Sequence, residues 1–220
     1  MCGIAGAFFA GGRDHLAASL AEMADAQRHR GPDGDGVWVH PDRPLGFAHR
    51  RLSIIDLSDA GRQPMISASG RLTICFNGEI YNYADLRGEL ALLGHAFRGH
   101  SDTEVLLAAI EQWGLEPAVR RCIGMFAFAL WDSRENAVFL VRDRIGIKPL
   151  YYTQQGRSFA FSSELKGLRR ARGFQWTIDR RALSQFFRYG YIPAPFSIFT
   201  NVYKVLPGSV IRLGLDGGQP

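Results

Sequence analysis

The start of the chain places the strongest constraint on its fold. After Met1 and Cys2, residues 3 to 10 read G-I-A-G-A-F-F-A, a short run of small and apolar residues without a charge. Such a run is typical of a buried strand, and its glycines permit a neighbouring backbone to approach closely. The pattern therefore predicts a buried strand over residues 3 to 10, with Cys2 at its leading end.

Cys2 has the chemistry of a nucleophile if Met1 is removed, which a small second residue allows. The residue would then carry both a thiol and a free α-amino group. An α-amino group titrates near pH ~8, so part of it is neutral at neutral pH and can accept the thiol proton. The alternative is that Cys2 is only an early residue of the strand, because a free cysteine is a common buried hydrophobe.

Composition and charge argue against several classes of protein. No apolar run approaches the ~20 residues of a membrane span, and the N-terminus lacks a signal peptide, so we expect no membrane association and a cytoplasmic location. The three cysteines, Cys2, Cys75 and Cys122, are odd in number and form no C-x-x-C pair, which predicts neither a disulfide framework nor a zinc site. The net charge of +5 has a local excess of arginine between residues 169 and 181. No aromatic-interleaved basic pattern accompanies it, so we expect no nucleic-acid partner.

Hydrophobic periodicity predicts helices at both ends of the chain and a cluster of strands between them, which favours a layered α+β fold. Helices are expected after caps at Asp14, Asn82, Ser101 and Asp179, and the last of these helices is expected to bury Phe186. The predicted strands cover residues 3–10, 37–39, 45–49, 71–76, three runs within 125–152, 158–161, 202–205 and 209–213.

Eight short motifs follow one another along the chain: C-G-I-A-G, R-H-R-G-P-D-G, H-R-R-L-S-I-I-D, F-N-G-E-I-Y-N-Y, S-D-T-E, G-M-F-A-F-A-L-W-D, R-D-R-I-G-I-K-P-L-Y-Y and S-S-E-L-K. Together they resemble the glutaminase domain of glutamine-hydrolysing asparagine synthetase, a class II glutamine amidotransferase. The resemblance implies a four-layer αββα N-terminal nucleophile (Ntn) hydrolase fold, with two stacked antiparallel sheets between helices. It predicts one glutamine amidotransferase type 2 domain over residues 2–213. Residues 214–220 are predicted to be a linker toward a synthetase domain that this chain does not contain.

The resemblance implies catalytic roles for Cys2, Asn77 and Gly78. Cys2 would attack the side-chain amide of L-glutamine, form a thioester and release ammonia. Asn77 and Gly78 would form the oxyanion hole, with one side-chain N–H and one backbone N–H aimed at the developing charge. We also expect that Gly78 leaves room for the substrate. Taken alone, Asn-Gly after a strand would predict a hairpin turn, but the context F-N-G-E-I-Y-N favours the oxyanion hole.

The resemblance also implies how the amino-acid end of glutamine is bound. The planar fork of Arg51 would receive the α-carboxylate, and Asp102 would receive the α-ammonium with help from Glu79 and the backbone around residues 53 to 55. As a helix residue alone, Asp102 would simply favour the helix dipole, and the two roles can coexist. The predicted glutamine-binding residues are Arg51, Leu52, Ser53, Ile54, Ile55, Asn77, Gly78, Glu79 and Asp102.

Other polar residues of the motifs are predicted to be structural. Arg30 and Asp33 in R-G-P-D, and Arg142 and Asp143 in R-D-R, are expected to brace loops. His49 is expected to be a hydrogen-bonded structural residue, because the N-terminal amine leaves it no acid-base role.

The resemblance implies partners that this chain does not itself contain. We expect no metal and no cofactor in this domain, with ATP and Mg²⁺ used only by a C-terminal or separate ATP-dependent synthetase domain, since the chain lacks the S-G-G-x-D-S loop of that domain. A homodimer is expected for the full enzyme. Two alternatives stay open: a degenerate domain that binds glutamine or docks a partner, and the glutaminase half of a sugar, peptide or antibiotic amidotransferase.

Overall fold

The computed structural model describes residues 1–215 of the 220-residue chain. Its strands are β1 (Gly3–Phe8), β2 (Gly34–Val39), β3 (Leu45–Arg51), β4 (Met65–Ile66), β5 (Leu72–Ile80), β6 (Gly124–Asp132), β7 (Ala137–Arg142), β8 (Tyr151–Gln155), β9 (Ser158–Ser162), β10 (Val202–Lys204) and β11 (Val210–Gly214). Its α-helices are α1 (Leu16–Asp25), α2 (Tyr83–Leu92), α3 (Asp102–Trp113), α4 (Leu115–Arg121), α5 (Leu165–Leu168) and α6 (Arg180–Tyr189).

The strands form two antiparallel sheets that stack face to face. The six-stranded sheet has the order β10-β8-β9-β1-β3-β2, and the five-stranded sheet has the order β11-β7-β6-β5-β4. Phe47 and Phe161 from the first sheet meet Trp131 and Leu140 from the second in the apolar layer between them. Helices α1 and α5 cover the outer face of the first sheet, while α2, α3 and α4 cover the second. The predicted four-layer αββα arrangement is confirmed.

The first strand lies inside its sheet, as the run of small residues predicts. β1 pairs with β3 on one side and with β9 on the other, and all of its residues are buried. A side chain at Gly6 would overlap the ring of Phe161, so the close approach of neighbouring groups requires glycine there. The strand ends at Phe8, two residues earlier than predicted, because the chain turns after Phe9. Cys2 is thereby fixed at the start of a strand held from both sides.

Two of the predicted helix caps are present and two are not. The Ser101 hydroxyl accepts a hydrogen bond from the Glu104 N–H, and the Asp179 carboxylate caps α6. The prediction for Asp14 is wrong, because α1 starts after His15 and no side chain caps it. Asn82 does precede α2, but its side chain bonds the backbone ahead of β6 instead of capping the helix. Asn82 stands where a cap is expected from sequence, and its contacts with a distant segment decide the outcome.

The end of the described chain and helix α6 also differ from expectation. Phe186 is 47% exposed rather than buried, and within α6 only Ala182 is buried. β11 continues through Gly214, and Leu215 packs into the layer between the sheets, so the first two residues of the predicted linker belong to the folded part. The rest of the predicted linker, residues 216–220, lies outside the described residues. No helix within residues 1–215 is long and apolar enough to cross a membrane.

Candidate active site

A pocket of about 340 Å³ opens where the two sheets meet beside the N-terminus. The chain segments around it are the start of β1, the end of β3 with the loop after it, the second half of β5 and the start of α3. The structure brings all of the residues predicted for catalysis and glutamine binding to this one pocket: Cys2, Arg51, Leu52, Ser53, Ile54, Ile55, Asn77, Gly78, Glu79 and Asp102. Their individual roles stay predictions, which the local geometry supports to different degrees.

Cys2 is half-buried against the backbone of Leu52. The Leu52 N–H donates to the Cys2 Sγ at 3.4 Å, and the thiol lies 3.6 Å from the Leu52 carbonyl oxygen. Arg30 holds the other side, since its Nε donates to the Cys2 carbonyl at 2.8 Å and its Nη1 to Glu164 Oε1 at 2.9 Å. Burial raises the pKa of the Cys2 thiol, while the Leu52 N–H and nearby positive charges lower it. A thiol with a raised pKa needs a base close by before it can attack a substrate.

Two hydrogen bonds tie β3 in one sheet to β5 in the other, directly beneath the pocket. The ring nitrogen Nε2 of His49 lies 3.1 Å from the Phe76 carbonyl oxygen, and the Cys75 thiol donates to the Ala48 carbonyl at 3.2 Å. Burial lowers the pKa of His49 to about 4, so the ring is neutral at neutral pH and Nε2 carries the donated proton. His49 is therefore a structural residue, as predicted, and it fixes the strand segment that precedes Asn77.

Asn77 lies within β5 rather than in a turn. It pairs with Ala127 of β6, and its side chain is 1% exposed. Among the described residues, its Nδ2 has no hydrogen-bond partner. A buried polar group without a partner costs about 1–3 kcal/mol. An unsatisfied N–H at the wall of a pocket is therefore ready to donate to an acceptor on a bound ligand.

The backbone N–H of Gly78 points to the same side of β5 as the pocket. Its cross-strand partner Phe126 directs both backbone groups away from β5, because its N–H donates to Asp143 Oδ2 and its carbonyl accepts from Asp143 N–H. Gly78 and Phe126 thus form a non-hydrogen-bonded pair, in which the N–H of Gly78 also faces away from β6. Phe76 and Ile80 lie two residues before and two residues after Gly78 on β5, and their N–H groups also point away from β6. Phe76 N–H donates to Gln63, and Ile80 N–H donates to Asp102.

The neighbouring strand gives a reason for glycine at position 78 that sequence reasoning did not supply. A side chain there would overlap the Met125 carbonyl oxygen and the backbone of Phe126 on β6. The close approach of β6 therefore requires glycine at this position. That the glycine also leaves room for the substrate stays a prediction.

Arg51 braces the loop that follows it as well as lining the pocket. Its Nη1 donates to the Ser58 carbonyl at 3.0 Å and its Nη2 donates to the Asp56 carbonyl. The Asp56 carboxylate in turn accepts from the Ser58 N–H and the His100 N–H, which closes the loop onto the segment before α3. Each terminal nitrogen of a guanidinium carries two N–H groups, so one on each remains for a carboxylate in the pocket. Sequence patterns predicted the substrate contact and missed the loop bracing.

Asp102 is the first residue of α3 and is almost completely buried. Its Oδ2 accepts from the Ile80 N–H at 2.9 Å, and the Thr103 hydroxyl lies 3.4 Å from Oδ1. Burial raises the pKa of Asp102, while these two hydrogen bonds lower it. A cation arriving in the pocket would favour the ionised carboxylate. The nearby carboxylate of Glu79 is half-buried in the same pocket.

The turn between β7 and β8 confirms the bracing predicted for R-D-R. The Asp143 carboxylate accepts N–H groups from Phe126 and from residues 145 to 148. Arg142 donates to the carbonyls of Lys148, Val205 and Gly146 at 2.7 Å each. This turn carries Lys148 into the pocket, beside Cys2 and Glu79.

Two further pocket residues escaped sequence reasoning. Gln63 links β5 to α3, since its Oε1 accepts from Phe76 N–H at 2.6 Å and its Nε2 donates to Thr103 Oγ1 at 3.3 Å. Lys148 was visible only as one letter of the motif R-D-R-I-G-I-K, with no pattern that assigns it a task. Within residues 1–215, no group of three His, Cys, Asp or Glu side chains is placed to hold a metal ion.

Comparisons with known proteins identify the family of the chain and agree with its fold. A family model described as a glutamine amidotransferase domain matches residues 1–219. The chain is 39% identical over 202 residues to asparagine synthetase (glutamine-hydrolysing) 3 of Bacillus subtilis, covering 90% of this chain and 32% of the relative. It is 41% identical over 224 residues to asparagine synthetase (glutamine-hydrolysing) 1 of the same species, covering 99% of this chain and 34% of the relative. The chain thus spans about a third of the length of these relatives.

A solved structure gives the same picture of the fold. Glutamine phosphoribosylpyrophosphate amidotransferase from B. subtilis superposes with a TM-score of 0.71 at 19% sequence identity, over 98% of this chain and 48% of that chain. At that level of identity the likeness concerns the fold, which is the Ntn-hydrolase arrangement of two stacked sheets between helices.

Proposed function

Because the chain belongs to the glutamine amidotransferase domain family, we propose that it releases ammonia from the side-chain amide of L-glutamine with Cys2 as the nucleophile. The observation that carries this proposal is the buried Nδ2 of Asn77, which has no hydrogen-bond partner among residues 1–215 and lies in the same pocket as the Cys2 thiol. A donor without a partner, beside a nucleophile, is what stabilisation of a negatively charged intermediate requires.

The first chemical step follows from the N-terminus. Removal of Met1 leaves an α-amino group on Cys2 that takes the thiol proton, and the sulfur attacks the amide carbon of glutamine. The electron pair of the C=O bond moves onto oxygen, where the Asn77 Nδ2–H and the Gly78 N–H donate to it. The ammonium of Cys2 then returns its proton to the leaving nitrogen, and ammonia departs as the thioester forms.

The second step releases glutamate. A water molecule gives a proton to the Cys2 amine and attacks the thioester carbon, which generates a second tetrahedral intermediate whose oxyanion lies in the same oxyanion hole and whose carbon carries a hydroxyl group. Collapse of this intermediate expels the sulfur, which recovers its proton from the amine. One base on the same residue as the nucleophile therefore serves both halves of the reaction, and His49 takes no part.

Recognition of glutamine would use the opposite end of the pocket. The free N–H groups of Arg51 would pair with the α-carboxylate, and Asp102 with Glu79 would pair with the α-ammonium. The loop over residues 52–55 would supply backbone contacts, and its attachment to Arg51 makes loop position and carboxylate binding interdependent.

The names of the relatives guide the proposal for the ammonia acceptor. We propose that ammonia passes to an ATP-dependent asparagine synthetase domain, and that ATP and Mg²⁺ act only there. Sugar, peptide or antibiotic amidation is the alternative. A cytoplasmic location and a homodimer of the full enzyme remain predictions. The first fits the three free thiols, Cys2, Cys75 and Cys122, which a reducing compartment keeps reduced.

The test is glutamine hydrolysis by the protein and by a Cys2→Ala variant, with glutamate and ammonia measured separately. We expect equal amounts of the two products from the unaltered protein and none above background from Cys2→Ala. Cys122→Ala is the matched control, because Cys122 is a buried free cysteine outside the pocket. Hydrolysis at an unchanged rate in Cys2→Ala would contradict the proposal.

A further inference from the structure

Lys148 is a buried cation for which the proposed mechanism has no use. Its side chain is 5% exposed, and it lines the same pocket as Cys2 and Glu79. Among residues 1–215 its Nζ makes no hydrogen bond and has no carboxylate within 4.0 Å. The chain's other two lysines are both engaged: Lys166 lies 3.4 Å from Glu164 Oε2, and Lys204 donates to the Ile192 carbonyl. Because Lys148 lines the pocket and its Nζ is engaged by no described residue, its charge acts on the groups around that pocket.

The fold holds the backbone of this lysine rigidly. Its N–H donates to Asp143 Oδ2 at 3.1 Å, and its carbonyl accepts from Arg142 Nε at 2.7 Å. The same Asp143 carboxylate binds four further N–H groups, so the turn cannot easily move away from the pocket. Lys148 is therefore presented to the N-terminus as a charge in a fixed place.

The groups that face the N-terminus define what this charge can do. Burial lowers the pKa of the Lys148 ammonium, and Arg30 lowers it further, while Cys2, Glu79 and Asp143 raise it. The amino terminus in this structure belongs to Met1, and burial lowers its pKa, with Arg30 and Lys148 acting in the same direction and Cys2 and Asp33 opposing them. Removal of Met1 places the amine one residue further along, on Cys2, which lines the same pocket as Lys148. Other charged or titratable groups near the N-terminus and around the same pocket are Arg51 from β3, His49 from β3, Asp102 from α3 and Glu164, which binds Arg30.

We propose that Lys148 is a positioning residue that keeps the α-amine of Cys2 neutral at neutral pH, so that the amine can take the thiol proton. The inference rests on the proposed function, in which that amine is the base. A fixed positive charge disfavours the ammonium form of a neighbouring amine and stabilises a neighbouring thiolate once it forms. More of the protein is then in the state that begins the reaction, with a neutral amine beside a thiol whose proton later goes to the leaving nitrogen, and Lys148 needs no contact with glutamine.

The test is the pH dependence of kcat/KM for glutamine hydrolysis in Lys148→Met. Without the cation the amine holds its proton to higher pH, so the acid limb of the profile should move upward by roughly half a pH unit or more. Activity at neutral pH should fall, recover at higher pH and leave KM for glutamine nearly unchanged. Lys148→Arg should restore the profile, because it restores the charge.

A second readout needs no glutaminase activity. The rate of alkylation of Cys2 by iodoacetamide reports the ionised thiol, and its pH midpoint should also rise in Lys148→Met. If the proposed function were wrong, glutamine hydrolysis would be absent from the unaltered protein while this alkylation shift could still be measured. If the methionine variant does not fold, as judged by thermal denaturation, Lys148→Gln takes its place.

Lys166→Met is the matched control, because it removes the same charge from a lysine that pairs with Glu164 outside the pocket. We expect its pH profile and alkylation midpoint to match the unaltered protein. Unchanged profiles in Lys148→Met, or an increase in KM as the sole effect, would overturn the proposal. The first result would indicate a packing role, and the second would indicate direct contact with the substrate carboxylate.

Discussion

The burial of His49 predicts a measurable dependence of stability on pH. Burial lowers the pKa of His49 from 6.5 to about 4, so the folded protein holds the ring neutral while the unfolded chain binds a proton as the pH falls below 6.5. The unfolded state then carries more bound protons, and stability decreases as the pH falls through this window. Linkage with these two pKa values gives a loss of about 2 kcal/mol at pH 5 relative to pH 7.5, because each unit of effective shift is worth about 1.4 kcal/mol.

The variant His49→Gln tests this reasoning, since glutamine can still donate to the Phe76 carbonyl but does not titrate. Free energies of unfolding are measured by urea titration at pH 7.5 and at pH 5. The loss of stability between these two pH values should be about 2 kcal/mol smaller in the variant than in the unaltered protein. Carboxylates contribute equally to both proteins and cancel in the comparison. The control His15→Gln alters an exposed histidine and should keep the full pH dependence. Equal pH dependence in His49→Gln and the unaltered protein would refute the argument.

Three further predictions concern the pocket. Asn77→Ala should lower kcat by about 10² to 10³ with little change in KM, as measured by steady-state glutamine hydrolysis, and a normal kcat would remove Asn77 from the oxyanion hole. Arg51→Lys and Asp102→Asn should raise KM for glutamine more than they lower kcat, because in the proposed function the two side chains bind the α-substituents of glutamine and not the reacting amide. Simple amides lacking those groups should be poor substrates. Hydrolysis should proceed without ATP or Mg²⁺. An assay with glutamine, aspartate, ATP and Mg²⁺ should yield glutamate and ammonia from this chain but neither asparagine nor pyrophosphate, either of which would reveal a nucleotide site.

Local patterns predicted the elements whose structure is decided locally or by burial alone. The run after Cys2 has no charge to expose and no bulk to separate strands, so it predicts a strand inside a sheet, as observed for β1. The Ser101 cap is also a local matter of one hydroxyl and the N–H of Glu104. Asp14 and His15 are adjacent polar residues, and sequence could not decide which of them ends the turn before α1.

The features that sequence could not predict depend on contacts between distant segments. Asn77-Gly78 carries the local signal of a turn, yet pairing with β6 extends β5 through both residues. The motif resemblance placed them in the site, but only the pairing shows why their N–H groups face the pocket. The spacing of Phe186 in the sequence indicates an apolar face of helix α6. Spacing cannot tell whether other residues cover that face, and in the described part of the chain Phe186 is exposed.

Lys148 illustrates the same limit for the site itself. A lysine within R-D-R-I-G-I-K has no local feature that separates it from a surface residue. Its burial beside Cys2 follows from the turn around Asp143, which is built from N–H groups of β6 and of the residues after β7. The assembly of a pocket from several segments is therefore visible only in three dimensions.

The central claim is that the α-amine of Cys2 is the base, and the state of the N-terminus tests it most directly. Intact-mass measurement of the active protein should show loss of Met1. A matched protein with an uncleavable N-terminal extension should keep the same fold, by circular dichroism and thermal denaturation, and should not hydrolyse glutamine. Full hydrolysis of glutamine by the protein that retains Met1 or the extension would contradict the account.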